Sequence, residues 1–285
     1  AAGVSTTAVS LVLNGKDSRI SEATKEKILR ISREMAFQSE ITVQPGGSQR
    51  VKTLGLVLPD LKDPVFYKLL IYIQEYAFQK GYMVFFCACG DDAERCCTIV
   101  EGLVVKNVDG LAVVAPSTLE KDDSLTKTLH TIQDNGVPLV LLDRAVYSIF
   151  SDFVTTDNKY GGRAAAEKLV KAHYREQDVF HGSFTEESGR TAFETLYAQG
   201  CDGFFVENDR MAKGVLAAAK EKGIHIGENC KFAVYDYEGT ENVISVRQNL
   251  SLMAEKAIDR LIERIEEPEK LMPAGNFYIT PLVEN

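Results

Sequence analysis

No stretch of this 285-residue chain approaches the roughly 18 consecutive apolar residues that span a bilayer, and no signal-peptide pattern opens it. These absences exclude a membrane partner and predict a cytoplasmic protein. The vocabulary of catalysis is thin as well. The first strand-like run is not followed by G-x-G-x-x-G, and G-x-x-x-x-G-K-[ST] occurs nowhere, which counts against a nucleotide-dependent enzyme. His130, His173, His181 and His225 are scattered, so no His-centred nucleophile constellation forms. The six cysteines (Cys87, Cys89, Cys96, Cys97, Cys201 and Cys230) include no C-x-x-C pair and no Cys/His ligand spacing. Buried, reduced thiols are the expectation for them. The chain is therefore expected to be no enzyme and to need neither metal nor cofactor.

What is present starts with an uneven charge. The net charge of -9 is unpromising for a nucleic-acid binder until it is divided. Up to Lys52 there are eight basic and five acidic residues, a balance of +3, so the remainder carries -12. A mildly basic head on an acidic body fits DNA binding confined to one end. In that head, Ser5 is a good N-cap and Asn14-Gly15 a stop, so Thr6 to Leu13 reads as a short helix. Val9, Val12 and Leu13 share one face, while Thr7, Ser10 and Leu11 share the other. So short a helix must dock its apolar side on neighbours, leaving outside a small hydroxylated ridge that suits a major groove. A further helix follows Ser21, with Ile28, Ile31 and Met35 as its apolar stripe.

Residues 37–52 are polar and broken by Pro45, Gly46, Gly47 and Ser48, which reads as a linker. From Thr53 a βα rhythm begins. Strand-like runs at 54–58, 84–87, 111–114 and 139–142 alternate with helical stretches at about 65–80, 92–106 and 122–135. Short apolar strands alternating with helices predict a parallel sheet covered on both faces, with ligands beyond the carboxyl ends of the strands. A second αβ unit starts near Val154 and has helices at 160–171 and about 185–199. It continues with the strand-like run 203–206, a helix at 210–221, the run 231–235, a long helix at 252–266 and an alternating stretch, Asn276 to Val283. Asp143, Asn208 and Asp236 each end a strand. Such carboxylates and amides suit a hydroxyl-rich ligand, and they equally suit capping of the helix that follows. Arg144 is either a phosphate-binding residue or a partner for Asp157.

The run Gly3-Val4-Ser5-Thr6-Thr7-Ala8-Val9-Ser10-Leu11-Val12-Leu13-Asn14-Gly15 resembles the lactose-repressor (LacI/GalR) family, whose helix-turn-helix carries GVS-x-x-x-VS-x-VLNG here. The resemblance extends over the βα rhythm. It implies an α/β fold: a partial N-terminal helix-turn-helix (1–36, its first helix largely absent), a hinge (37–52), and a body (53–285). The body would hold two periplasmic-binding-protein-like, doubly wound parallel sheets, an N-subdomain of about 53–156 and 248–272 and a C-subdomain of about 157–247 and 273–285. By resemblance, Thr6, Thr7 and Leu11 read bases, while Ser5, Ser10, Asn14 and Ser21 contact phosphates. Leu11 can meet a thymine methyl but cannot read guanine. Phe66 and Tyr67 match an aromatic wall, and Asp143, Asn208 and Asp236 match effector-holding positions. The implied function is a homodimeric, sequence-specific transcriptional repressor of operator DNA, controlled by a small-molecule effector of the carbohydrate class. The alternative is a transport-type sugar-binding protein without DNA binding.

Two departures stand out. Gly46 falls where the family's hinge helix carries a minor-groove leucine, and Pro45 with two glycines is poor helix material. After the helix ending near Lys171, the family's next βα unit is missing from the pattern between His173 and Tyr174, with a shorter omission expected near Gly239 to Glu241.

Overall fold

The computed structural model describes residues 12, 20–28, 31, 52–117, 123–146, 148–169, 179–183, 185–227, 230–239, 243–270 and 272–284. The expected DNA-reading residues Ser5, Thr6, Thr7, Ser10, Leu11 and Asn14, the hinge, and the expected gap at His173 lie outside these. In the head, residues 22–28 are helical and start at Ser21, whose Oγ accepts the backbone N–H of Thr24 at 3.4 Å. Ile28 and Val12 are buried, as the apolar faces require.

The body runs β1 (Thr53–Leu58), α1 (Pro64–Gln79), β2 (Met83–Ala88), α2 (Ala93–Val105), β3 (Gly110–Val113), α3 (Ser124–Asp134), β4 (Leu139–Leu142) and β5 (Asp152–Thr156). It continues with α4 (Asn158–Leu169), α5 (Glu186–Ala198), β6 (Gly203–Val206), α6 (Asp209–Glu221), β7 (Lys231–Tyr235), β8 (Ile244–Arg247), α7 (Leu250–Glu266), β9 (Asn276–Ile279) and β10 (Leu282–Glu284). Six strands form one sheet in the order β2-β1-β3-β4-β5-β9, parallel throughout. The second sheet, β10-β8-β7-β6, is parallel except for β10, which runs antiparallel to β8.

Side-chain alternation along β1 decides what covers the first sheet. Leu54, Leu56 and Leu58 pack with α1 and α7, whereas Val57 packs on the other face with α2 and α3. In the second unit, α5 and α6 approach closely because both are glycine at the crossing. A Cβ on Gly189 would sit 2.0 Å from the Met211 carbonyl oxygen, and one on Gly214 would sit 1.8 Å from that of Glu186. Among the described residues no helix is long and apolar enough to cross a membrane.

One boundary needs correction. The stretch from Asn276 to Val283, expected to be continuous and to fall with 273–285 in the C-subdomain, is divided at Pro281. Proline has no N–H to give a ladder, and the chain breaks there into β9 and β10, which join different sheets. β9 pairs in parallel with β5 and therefore belongs to the first sheet. The strand β8 was not expected at all; it is only four residues long.

A buried ion cluster fixes α7 on this sheet. Asp152, at 0% exposure, accepts from Arg260 Nε (3.1 Å) and Nη2 (3.2 Å), Arg264 Nε (2.6 Å) and the Gly275 backbone N–H (2.8 Å). Burial alone would raise its pKa, but the two guanidiniums and the Gly275 N–H outweigh it and lower it. Asp152→Ala should cost about 3 kcal/mol in urea unfolding at neutral pH, because two half-buried arginines lose their partner. A carboxyl whose pKa is depressed on folding stabilises above its unfolded value of about 3.9, and that contribution is lost as pH falls through the folded-state value. The gap between wild type and variant should accordingly narrow in acid.

Candidate functional site

The chain crosses between the sheets after β5, after β8 and between β9 and β10, and hydrogen bonds lace the crossings together. Thr156 Oγ1 donates to Gln248 Oε1 at 2.7 Å, and the Asp157 N–H donates to the Ile279 carbonyl at 2.8 Å. Gln248 in turn donates its backbone N–H (2.9 Å) and its side-chain amide (2.8 Å) to the two carboxylate oxygens of Asp236. Neither Thr156 nor Gln248 was singled out from the sequence.

Asp143 and Asp236 occupy matching places in the two sheets, each directly after a strand. Each takes a left-handed backbone, φ 60° and 51°, and each donates its N–H to the neighbouring strand, to Val154 at 2.9 Å and Val246 at 2.8 Å. A non-glycine residue held there is uncommon and strained. Burial raises the pKa of both carboxyls. The charge of Asp236 further raises that of Asp143, Asp63 raises both, and Arg144 and Lys68 act in the opposite sense. Two strand-end carboxylates, Asp143 and Asp236, and the helix-capping Asp63 thus lie near enough to act on one another's charge. Asp63 is also the N-cap of α1, accepting the Val65 N–H at 2.9 Å.

The remaining expected residues are placed differently. Asn208 caps α6, its Oδ1 accepting the Met211 N–H at 2.8 Å, so the capping alternative applies to its oxygen. Phe66 is buried in the core, with the Arg144 guanidinium 5.5 Å from its ring centroid. Tyr67, its neighbour in α1, is 53% exposed. Arg144 does not pair with Asp157: its Nη1 binds Asp91 Oδ1 at 2.8 Å and the Ala115 carbonyl at 3.1 Å. Asp91, on a left-handed backbone itself, also accepts from the Ser117 N–H and hydroxyl. Lys68 of α1 pairs with Glu238 beyond β7. Among the described residues no group of three metal-ligating side chains forms.

Three family models match this chain. Residues 1–40 match bacterial regulatory proteins of the lacI family, residues 51–180 the periplasmic binding proteins and sugar-binding domain of the LacI family, and residues 148–281 a periplasmic binding protein-like domain. The chain is a member of the LacI family. It is a DNA-binding transcriptional regulator of the repressor type rather than an enzyme, and the head match sets aside the transport alternative. The HTH-type transcriptional repressor PurR of Pasteurella multocida is 23% identical over 306 aligned positions, covering 93% of this chain and 90% of that one. Those positions outnumber the 285 residues here, so that relative carries internal residues that this chain does not. The fold is shared with the transcriptional regulator CelR–cellobiose complex (TM-score 0.69, 22% identity, 100% of this chain and 96% of that one). It is shared equally with the lac repressor dimer bound to operator and the anti-inducer ONPF (TM-score 0.69, 21% identity, 100% and 95%).

The raised carboxyl pKa values make a prediction of their own. A carboxyl whose pKa is raised on folding weakens the fold once it ionises, and more so as pH rises. Asp143→Asn should therefore stabilise the ligand-free protein at pH 7, by about 1 kcal/mol in thermal unfolding, while impairing ligand binding. Its advantage should shrink as acid protonates Asp143 in the wild type.

Proposed function

We propose that the cleft binds a neutral, hydroxyl-rich effector, a carbohydrate or a derivative, and that occupancy changes the affinity of a homodimer for operator DNA. The observation that carries this reading is the convergence of Asp63, Asp143 and Asp236 with the neighbouring cations already engaged, Arg144 by Asp91 and Lys68 by Glu238. A sugar hydroxyl can donate to such carboxylates, whereas a phosphate would meet like charge. The cellobiose held by CelR supports the same class. Regulation follows by linkage: an effector that prefers one relative placement of the two sheets shifts the placement of the heads. Thr6, Thr7 and Leu11 read bases in this proposal, and Ser5, Ser10, Asn14 and Ser21 hold phosphates. The protein acts in the cytoplasm, where its operator lies.

The dimer face is assigned to α1 and the edge strand β2. Phe78 (72% exposed), Met83 (61%) and Phe85 (49%) leave there an apolar surface on an unpaired strand edge.

A thermal-shift screen of the full chain against sugars, sugar phosphates, nucleosides and purines tests the effector class. A ligand at about a hundredfold its Kd stabilises by roughly 2.7 kcal/mol. Neutral sugars should give the response and Asp236→Ala should remove it; a response confined to phosphorylated ligands would overturn the assignment. Phe85→Glu should yield monomers in sedimentation and weaken operator binding, since two half-sites would no longer be read together. Thr7→Ala should reduce specific but not non-specific DNA affinity.

A further inference from the structure

Buried polar atoms in folded proteins are hydrogen-bonded almost without exception, so one that is not calls for an explanation. Among the described residues one buried side-chain polar atom has no partner, the hydroxyl oxygen of Tyr235. Tyr235 ends β7. Its ring lies on the α4 face of the second sheet with Ala165, Ala233 and Val246, 5.9 Å from the Phe205 ring. The hydroxyl presses on Gly161 in the first turn of α4: a Cβ there would sit 2.0 Å from it and 3.1 Å from Pro281 Cγ. Only glycine leaves it room. The phenol thus ends between two of the crossings that join the sheets, the one after β5 and the one at Pro281.

Asp157 lies one helical turn before Gly161, whose N–H donates to the Asp157 carbonyl at 3.0 Å. It is the first residue beyond β5, its N–H donates to Ile279 of the first sheet at 2.8 Å, and its Oδ1 accepts the Tyr160 N–H at 2.9 Å. Its Oδ2 accepts nothing among the described residues. Burial, with the charges of Asp236 and Asp157 adding to it, pushes the Tyr235 phenol up to about 12, so it keeps its proton at neutral pH. A donor without an acceptor and an acceptor without a donor therefore lie about one turn of helix apart, at the pivot between the sheets.

We propose that the Tyr235 hydroxyl is a latch for the effector-bound placement of the two sheets, unpartnered in the placement seen here and donating to Asp157 Oδ2 once the crossing turns. This role rests on the cleft reading, in which Asp236, the next residue in the chain, is offered to the effector. Asp157 is tied to the first sheet as well as to α4, whereas Tyr235 belongs wholly to the second, so turning about the crossing changes the distance between them. An unpaired buried hydroxyl is costly, and a hydrogen bond to a carboxylate is among the stronger kinds. A ligand that brings the pair together gains that difference. Tyr235 is thus a positioning residue, acting through the crossing without touching the effector.

The full chain and its Tyr235→Phe variant are compared by thermal unfolding without ligand and by calorimetric titration with the neutral sugar that best protects the wild type. Without sugar, Tyr235→Phe should melt roughly 2–4 °C higher, because no hydroxyl is then buried unpaired. It should nevertheless bind the sugar about tenfold more weakly, because the latch is gone. A residue that served packing alone would not move the two readings in opposite senses. Asp157→Asn should weaken binding as well, the amide being a poorer acceptor than the carboxylate, and adding Tyr235→Phe to it should cost less than Tyr235→Phe alone. Wild-type sugar affinity in Tyr235→Phe, a lower melting temperature, or fully additive losses in the double variant overturns the latch. The Tyr235→Phe comparison decides by itself if Asp157→Asn does not fold. Protection of the wild type and Tyr235→Phe alike removes the latch and leaves the cleft reading intact, whereas a wild type that no sugar protects counts against the cleft reading itself.

Discussion

Everything about this molecule depends on three strands of chain that pass between two sheets and are tied to one another where they pass. Gln248 is the knot. Its amide accepts from Thr156, the last residue of β5, while its backbone and side chain both donate to Asp236, the first residue beyond β7. In the proposed reading a hinge built this way is a ligand site at the same time, because the carboxylate that the knot holds is also one offered to the effector. Any group that draws Asp236 toward itself pulls on the segment that governs how the sheets sit, which is the physical content of coupling between an effector and a distant DNA head.

That arrangement is kept at a cost. Asp143 and Asp236 sit on strained backbone, half-buried, and repelled by each other and by Asp63. A fold selected for stability alone would place amides or apolar residues there. The compensation lies elsewhere: the Asp152 cluster clamps α7 to β5 and to the start of β9, and the Leu54–Leu56–Leu58 face of β1 gives α1 and α7 a continuous apolar bed. The strain sits at the strand ends and the stabilisation beneath them, as expected when a rigid scaffold carries a destabilised site.

Much of this was legible in the sequence, and the omissions have physical causes. Strongly periodic elements such as α7 and β4 could be placed because burial on one or two faces imposes a pattern that composition cannot hide. The residues ending β4, β6 and β7 were found for the same reason: a polar residue at the end of an apolar run is conspicuous. What could not be read is what those residues do next. Whether Asn208 offers its oxygen to a ligand or to the Met211 N–H is decided by a helix start, and whether Phe66 faces the cleft or the core is decided by one helical step between it and Tyr67. Gln248 was missed because nothing local distinguishes it. Its partners, Thr156 and Asp236, lie 92 and 12 residues away. The crossing at Pro281 was misassigned because alternation continues through it, although the missing proline N–H was the available signal.

The hydrogen-bonding capacity left over narrows what the cleft can hold. Asn208 has one lone pair of its oxygen committed to the cap, and its two amide hydrogens are left as donors. Asp236 has one Gln248 hydrogen on each oxygen and retains acceptor capacity, while the Asp143 backbone is tied to Val154 and Thr155 and its raised pKa reflects a charge short of compensation. A ligand that satisfies all three must donate to two carboxylates and accept from one amide. A hydroxyl group does both, and neighbouring hydroxyls on a ring can do so toward two sheets at once. A planar apolar ligand can do neither, and an anion supplies acceptors where the site needs donors. The proposed choice of a neutral polyol over its charged relatives rests on which hydrogen bonds the fold has already made for itself.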